Sequence, residues 1–149
     1  MPQSLAQIYI HLIFSTKDRA NLIPGGVQRD LHAYIAGAMN SEGCPTLIVG
    51  GMADHVHILF HLGRTTSVSD AVKIAKVESS KWMKSTHGVT DFAWQGGYGA
   101  FSVSASGVEE VTDYVRNQER HHRAFTFQDE MRKILARYQV NYDEAHVWD

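Results

Sequence analysis

The pattern of hydrophobic and polar residues along the chain predicts four β-strands. Side chains alternate between the two faces of a strand, so apolar residues at every second position indicate a sheet with one buried face. This alternation, or a short apolar run bounded by glycine and polar residues, occurs in four segments: 8–14, 46–50, 55–62 and a longer region, 92–104, that contains the glycine-rich turn 96–99.

Apolar residues with helical spacing predict four helices between and after these strands. The first is expected over about 27–43. The other three begin where Ser or Thr stands three residues before an acidic residue, the spacing of a capping box. These pairs are Ser67 with Asp70, Ser106 with Glu109 (a helix to about Arg123), and Thr126 with Asp129. In the last helix the residues expected to face inward are Met131, Ile134, Leu135 and Tyr138.

The order of the elements predicts the fold class. β-α-β-β-α-β is the order of a ferredoxin-like α+β fold, an antiparallel sheet with helices on one face. Two C-terminal helices follow, and the first of them carries Tyr114. Because the chain has no internal repeat and no Pro/Ser-rich linker, we expect residues 1–149 to form a single domain.

Composition and charge narrow the classes of function. A chain of 149 residues with 44% hydrophobic and 20% charged residues is typical of a folded domain and excludes disorder. Fourteen basic and sixteen acidic residues leave a net charge of −2, so a nucleic-acid partner would have to be bound by local basic patches. The lone Cys44 and the absence of a long apolar run favour a soluble, cytoplasmic protein with no membrane partner.

Two histidines on the third predicted strand are the first candidates for chemistry. His55 and His57 are two positions apart, so their side chains point to one face with Cα atoms about 6.5 Å apart. Both imidazoles can then reach one metal ion, and burying them without a ligand would be costly. The simpler alternative, equally weighted from these residues alone, is a solvent-exposed strand end that binds nothing. His61 shares the face and is also explained as a surface residue.

Other histidine sites fit the spacing less well. A histidine-triad nucleotide hydrolase would need a third histidine at position 59, which is Leu59. A structural zinc site is disfavoured because the chain has one cysteine and no finger-type spacing. Two imidazoles with an oxygen ligand and open positions suit a catalytic divalent ion, and phosphate substrates favour Mg²⁺ or Mn²⁺.

A predicted helix near the C-terminus supplies a candidate nucleophile. Tyr114 and Gln118 are four residues apart and share a helix face, beside the apolar stripe that contains Val111 and Val115. From this helix alone, half-buried packing of Tyr114 ranks ahead of catalysis. Gln118 offers an uncharged oxygen as a third metal ligand. His121 and His122 extend the polar surface, with solvent or phosphate contact as their expected role.

Together these motifs resemble the single-tyrosine HUH transposases of small bacterial insertion sequences, those of the 200/605 type. The histidine element is His55-Val56-His57, and the tyrosine element is Tyr114 to Gln118, continuing to His121-His122-Arg123. The first strand with its basic turn 14–19, the segment 94–104 and the ending 142–148 are also similar to members of this family. Each motif alone is weak, but their order and the length of the chain make the resemblance specific.

The resemblance implies roles for individual residues. Tyr114 would be the nucleophile, and His55, His57 and Gln118 would hold Mg²⁺ or Mn²⁺. The substrate would be single-stranded DNA with hairpins near the element's ends, excised and inserted by two transesterifications through a 5′-phosphotyrosine. The resemblance also implies a homodimer in which the tyrosine helix of one subunit completes the histidine site of the other.

Basic residues supply candidate phosphate contacts. Two stretches, from 64 to 84 and from 116 to 137, carry more basic than acidic residues, and Lys17 and Arg19 match the basic turn of the family. A solvated helix face is the alternative for the charges of the two stretches, above all for Lys84, Arg132 and Arg137. The residues selected for DNA binding are Lys17, Arg19, Arg64, Lys73, Lys76, Lys81, Arg116 and Arg120.

Two other functions remain open beside an active transposase. One is a domesticated DNA-hairpin-binding protein without catalysis, although such a binder has no need of the set His55, His57, Tyr114 and Gln118. The other is a metal-dependent nuclease that uses water, with Tyr114 structural. Replication initiators and plasmid relaxases share the chemistry but usually have larger nuclease domains.

Overall fold

A four-stranded antiparallel sheet forms the centre of the computed structural model, which describes residues 2–149. The strands are β1 (Tyr9–Ser15), β2 (Thr46–Met52), β3 (His55–His61) and β4 (Gly99–Val103), in the spatial order β2-β3-β1-β4. This is the ferredoxin-like arrangement that the order of elements predicts. The register pairs Ser15 and Met52 with His55, at the end of the sheet where the candidate metal ligands begin.

Within the described residues, five α-helices surround the sheet: α1 (Gly25–Ser41), α2 (Val68–Thr86), α3 (Val108–Arg116), α4 (Gln118–His121) and α5 (Phe127–Arg137). Two 3₁₀ turns, Lys17–Arg19 and Ala105–Gly107, lie after β1 and before α3. None of the helices in residues 2–149 has both the length and the apolar character needed to cross a membrane.

One face of the sheet packs against α1 and α2. The sheet contributes alternate apolar residues, among them Leu12, Phe14, Ile58 and Phe60, as the strand pattern predicts. The helices contribute a buried stripe that includes Leu31, Ile35, Met39, Ala75 and Met83. Fully burying a Leu, Ile, Phe or Met side chain contributes about 1.5–3 kcal/mol, so this layer stabilises the fold strongly.

The opposite face is covered by the C-terminal helices. Ile13 and Phe101 of the sheet pack against a smaller cluster from α5, whose buried members are Phe127, Met131 and Leu135. His55 and His57 also point to this face. They are therefore enclosed between the sheet and the helices that follow β4.

The predicted helix starts are confirmed at two of three positions. The hydroxyl of Ser67 accepts a hydrogen bond from the Asp70 amide (3.1 Å), and that of Thr126 accepts one from the Asp129 amide (3.2 Å). Ser106 is wrong as a cap, because it lies in a 3₁₀ turn and its hydroxyl pairs with that of Ser104 at 3.1 Å.

The predicted helix to Arg123 is interrupted at Asn117. The side-chain amide and the backbone amide of Asn117 both donate to the carbonyl of Asp113, at 2.8 and 3.1 Å. Asn often competes for backbone hydrogen bonds in this way, and the chain starts a new turn at Gln118. Tyr138 is also not inward: it lies one residue beyond α5, is 37% exposed and stacks on Phe101.

Candidate metal and tyrosine centre

Two of the three histidines of β3 are fully buried. His55 and His57 each have 0% exposed surface, so the alternative of a solvent-exposed strand end is wrong. The tilt and alternation of β3 bring their ring centroids to 5.2 Å. His61, four residues after His57, is partly buried against Tyr9 and lies apart from His55 and His57.

Gln118 lies next to the histidines, as the resemblance implies. Its Oε1 atom is 2.9 Å from Nε2 of His55 and 3.0 Å from Nε2 of His122. Gln118 itself is 2% exposed. The break at Asn117 does not separate Gln118 from the site, because Gln118 begins α4 and its side chain reaches His55 of β3.

Glu130 is a member of the centre that the sequence reasoning missed. One carboxylate oxygen, Oε1, lies 2.9 Å from Nε2 of His57 and 3.2 Å from Nε2 of His122. The other, Oε2, accepts hydrogen bonds from the Tyr114 hydroxyl and from Nε2 of Gln118 (3.0 Å). A signal was present: Glu130 falls in the apolar stripe of α5, three residues after Phe127 and next to Met131.

His122 was expected to contact solvent or phosphate, but its side chain is only 8% exposed. It lies just after α4 and reaches back to Gln118 and Glu130. His121 takes a different position, with its ring stacked on that of Tyr114 at 4.6 Å. His122 therefore contacts Gln118 and Glu130, whereas the adjacent His121 contacts Tyr114.

Outer partners hold the strand histidines in orientation. Nδ1 of His55 is 2.7 Å from the Asp54 carboxylate, and Nδ1 of His57 is 2.8 Å from Nε2 of His11. Partners of this kind fix the ring and direct Nε2 toward a metal. Burial, followed by the charge of His57, lowers the pKa of His11 to about 3, so His11 is neutral at neutral pH.

The Tyr114 phenol is protonated in this environment. Burial raises its pKa well above the usual range, and the negative charge of Glu130 raises it further. Burial alone would raise the pKa of Glu130, but the neighbouring His57 and His122 outweigh it and hold that pKa well below its usual range. For His122, contacts to Glu130 outweigh burial and raise its pKa. Glu130 is thus a carboxylate that holds a neutral phenol.

The donor atoms at the centre fit a divalent cation. The Nε2 atoms of His55, His57 and His122 meet the amide oxygen of Gln118 and a carboxylate oxygen of Glu130. Ligand atoms of His55, His122 and Glu130 all lie within 4.8 Å of one another. Imidazole nitrogen with amide and carboxylate oxygen is a mixed set that accommodates ions such as Mn²⁺.

The basic residues selected for DNA binding occupy different surroundings. Six are exposed: Lys17, Arg64, Lys73, Lys81, Arg116 and Arg120. Arg116 pairs with Asp113 at 2.6 Å. Arg19 is partly buried, with its guanidinium 5.9 Å from the Trp148 ring centroid. Lys17 and Arg19 follow β1, whose last residue pairs with His55, so they lie at the site end of the sheet.

Lys76 differs from the others because its ammonium is engaged within the chain. Its Nζ donates to the carbonyls of Gln95 (2.8 Å) and Gly97 (2.7 Å), and burial lowers its pKa to about 8. These contacts hold the glycine-rich loop before β4. The helix that carries Lys76, α2, packs on the sheet face opposite His57, so its lysines lie across the sheet from Tyr114.

Comparison with known proteins identifies the family. A family model described as "Transposase IS200 like" matches residues 4–118, and the chain therefore belongs to this transposase family. No curated protein matches the chain.

Two solved structures share the fold. A candidate transposase from Deinococcus radiodurans R1 is 23% identical with a TM-score of 0.62, over 79% of this chain and 98% of that one. A REP-associated tyrosine transposase bound to a REP hairpin is 14% identical with a TM-score of 0.56, over 82% of this chain and 74% of that one.

Proposed function

We propose that this chain is a transposase that cleaves and rejoins single-stranded DNA through a covalent bond between Tyr114 and a 5′-phosphate. One arrangement carries the proposal: the Tyr114 hydroxyl and the imidazole of His57 both contact the carboxylate of Glu130. This arrangement supports the proposal because one buried carboxylate joins the two residues to which the family motifs give the nucleophilic and phosphate-activating roles. A domain that only bound DNA would gain nothing from burying these groups together.

The proposed reaction conserves a phosphodiester. The Tyr114 oxygen attacks the phosphorus, the bond from phosphorus to the 3′ oxygen breaks, and the phenolic proton ends on the released 3′-hydroxyl. Because a phosphotyrosine diester replaces a DNA diester, a later 3′-hydroxyl can reverse the step without ATP. A neutral phenol is a weak nucleophile, so the reaction needs stabilisation of charge on the phosphate.

His55, His57 and Gln118 are the residues that we propose to hold Mg²⁺ or Mn²⁺. When bound, such an ion would stabilise the charge on the non-bridging oxygens of the phosphate and orient the phosphorus for in-line attack. Asp54 and His11 keep the Nε2 atoms of the two histidines directed at the centre.

Hairpin DNA is the proposed recognition element. The REP-associated structural neighbour is bound to a hairpin, which supports the same class of substrate here. Lys17 and Arg19 lie at the site end of the sheet, and Arg116 and Arg120 lie on the helices that carry Tyr114 and Gln118. We propose that these four residues follow the phosphates nearest the reacting tyrosine.

A homodimer with exchanged tyrosine helices is the other expectation from the resemblance. In the described chain, Tyr114 already lies beside its own His57, with ring centroids 5.8 Å apart, so exchange is not needed to complete a site. A mixture of Tyr114→Phe and His57→Ala chains separates the two arrangements. Assembly within one chain gives no adduct in the mixture, whereas exchange between subunits restores it.

The test of the proposed function uses labelled single-stranded hairpin DNA from the region flanking the gene, with Mn²⁺ or Mg²⁺, on a denaturing gel. We expect a protein–DNA adduct that disappears with Tyr114→Phe or EDTA and persists with Tyr138→Phe, a control on an exposed tyrosine. Cleavage without adduct that survives Tyr114→Phe would indicate a water-using nuclease. Metal-independent binding without cleavage would indicate a domesticated hairpin binder.

A further inference from the structure

Glu130 is a buried carboxylate with no assigned part in the proposed reaction. It is 2% exposed and lies among apolar neighbours on the inner side of α5. An ionised carboxylate in such a place is retained only where cations or several hydrogen-bond donors face it. Its surroundings therefore indicate what it binds.

The two oxygens of Glu130 face different partners. Oε1 faces three imidazole nitrogens, the Nε2 atoms of His57 (2.9 Å), His122 (3.2 Å) and His55 (3.5 Å). Oε2 faces the hydroxyl of Tyr114 and the side-chain amide of Gln118. The carboxylate thus stands between the imidazoles and the tyrosine.

The imidazoles around Oε1 of Glu130 face more oxygen acceptors than their N–H groups can serve. A neutral imidazole has one N–H. Nδ1 of His55 faces the Asp54 carboxylate, and Nδ1 of His122 faces the carbonyl of Phe125 at 2.9 Å; both partners are acceptors, so each Nδ1 carries an N–H. In the neutral form of each ring, Nε2 then has a lone pair directed at the oxygens of Gln118 and Glu130. A cation among these atoms satisfies nitrogens and oxygens together.

The separations of the donor atoms agree with ligands of one octahedral ion. Two ligands at about 2.1 Å from a metal and at right angles are about 3 Å apart. Nε2 of His57 is 2.9 Å from Oε1 of Glu130, and Nε2 of His55 is 2.9 Å from Oε1 of Gln118. Nε2 of His122 is 3.2 Å from Oε1 of Glu130.

We propose that Glu130 is a direct, anionic ligand of the divalent ion, through Oε1, in addition to His55, His57 and Gln118. This ligand assignment rests on the proposed function, because both concern the same cluster of residues around His55 and His57. Its consequence is a site with a negative charge of its own, which binds a hard divalent cation more tightly than two imidazoles and an amide do. The other oxygen of the same carboxylate keeps its contact with Tyr114.

Mn²⁺ binding to the full chain without DNA tests this assignment. The free ion is measured by electron paramagnetic resonance during a titration. We expect Glu130→Gln to weaken Mn²⁺ binding at least tenfold, because it removes the charge but keeps the shape. Glu119→Gln, on the exposed side of α4, is the matched control and is expected to bind as the parent does. Glu130→Asp, which keeps the charge on a shorter side chain, is expected to recover part of the affinity.

Equal Mn²⁺ affinity of Glu130→Gln and the parent would overturn the assignment. If Glu130→Gln fails to fold, the unaltered protein with ¹³C-labelled glutamate side chains provides the test. A shift of the Glu130 carboxylate resonance on addition of Mg²⁺, larger than that of Glu119, supports the assignment, and no shift overturns it. An adduct at Tyr114 together with unchanged affinity in Glu130→Gln refutes the ligand role alone. Weakened Mn²⁺ binding in Glu130→Gln, together with no adduct at Tyr114 of the unaltered protein, refutes the transposase reaction alone.

Discussion

Gly50 of β2 lies so close to Val115 of α3 that no side chain fits between them. A Cβ atom at Gly50 would lie 2.5 Å from the carbonyl oxygen of Val115 and 2.9 Å from its Cγ1 atom. Only a residue without a side chain permits this approach. Val115 follows Tyr114 directly, so the glycine sets the distance between the sheet and the tyrosine helix.

Gly50→Ala is therefore expected to displace α3 and with it Tyr114. We expect a loss of about 1–3 kcal/mol in the free energy of unfolding, the usual cost of overpacking, and a larger loss of adduct formation than of DNA binding. Urea denaturation and single-turnover adduct assays measure the two effects. Gly37→Ala is the control, since a Cβ there meets nothing within 4 Å and a helix interior favours alanine. Adduct formation at the parental rate in Gly50→Ala would show that the contact does not position Tyr114.

The N-terminus of α5 gives a second prediction, because this helix carries Glu130. Thr126 accepts a hydrogen bond from the Asp129 amide, whereas Ser106, at the same spacing before Glu109, caps nothing in the structure. Thr126→Ala is expected to cost about 1 kcal/mol in the free energy of unfolding and Ser106→Ala close to nothing. Equal effects of the two substitutions in urea denaturation would contradict the assigned caps.

Lys17 and Lys76 are expected to differ in their effect on the salt dependence of DNA binding. Each phosphate neutralised on a single strand contributes about 0.7 to the slope of log affinity against log salt. Lys17→Ala is expected to reduce this slope by about that amount, because Lys17 is exposed at the site end of the sheet. Lys76→Met is expected to leave the slope unchanged and to lower stability, since its ammonium holds the carbonyls of Gln95 and Gly97. Fluorescence anisotropy of labelled hairpin DNA at several salt concentrations measures both, with the exposed Lys84→Ala as control.

His32 on α1 predicts a loss of stability in mild acid. Burial, with the charge of His55, lowers its pKa from 6.5 to about 4, and its Nε2 atom is buried without a hydrogen-bond partner among the described residues. Between these pKa values the unfolded chain takes up a proton that the folded chain does not. The contribution is therefore fully present above about pH 6.5 and is lost as the pH falls toward 4.

At pH 5 this difference amounts to about 2 kcal/mol relative to pH 7. His32→Gln is expected to flatten the decline in the free energy of unfolding over this range, measured by urea denaturation at each pH. The exposed His146→Gln is expected to decline as the parent does. A parental decline in His32→Gln would place the acid sensitivity elsewhere.

Much of the fold is predictable from sequence because local rules decide it. The alternation in β1 and β3, and the caps Ser67 and Thr126, depend on residues close together in the chain, and the structure has them as predicted. The break at Asn117 was missed because helical periodicity does not register a side chain that competes for a backbone carbonyl.

The candidate site was only partly predictable for a different reason. His55, His57, Tyr114 and Gln118 form short motifs, but Glu130 and His122 join them only because the C-terminal helices pack over this face of the sheet. An acidic residue within the apolar stripe of a helix indicates a buried carboxylate, and Glu130 in α5 is such a residue. Which partners would satisfy Glu130 depends on contacts 73 and 16 positions away, at His57 and Tyr114.

In the proposed reaction, Tyr114 becomes joined to DNA by a phosphodiester. The most direct test is mass spectrometry of the adduct after nuclease and protease digestion. We expect one nucleotide-bearing peptide that contains Tyr114, linked through the 5′-phosphate. A nucleotide on another tyrosine, or cleaved DNA with no modified peptide, would contradict it.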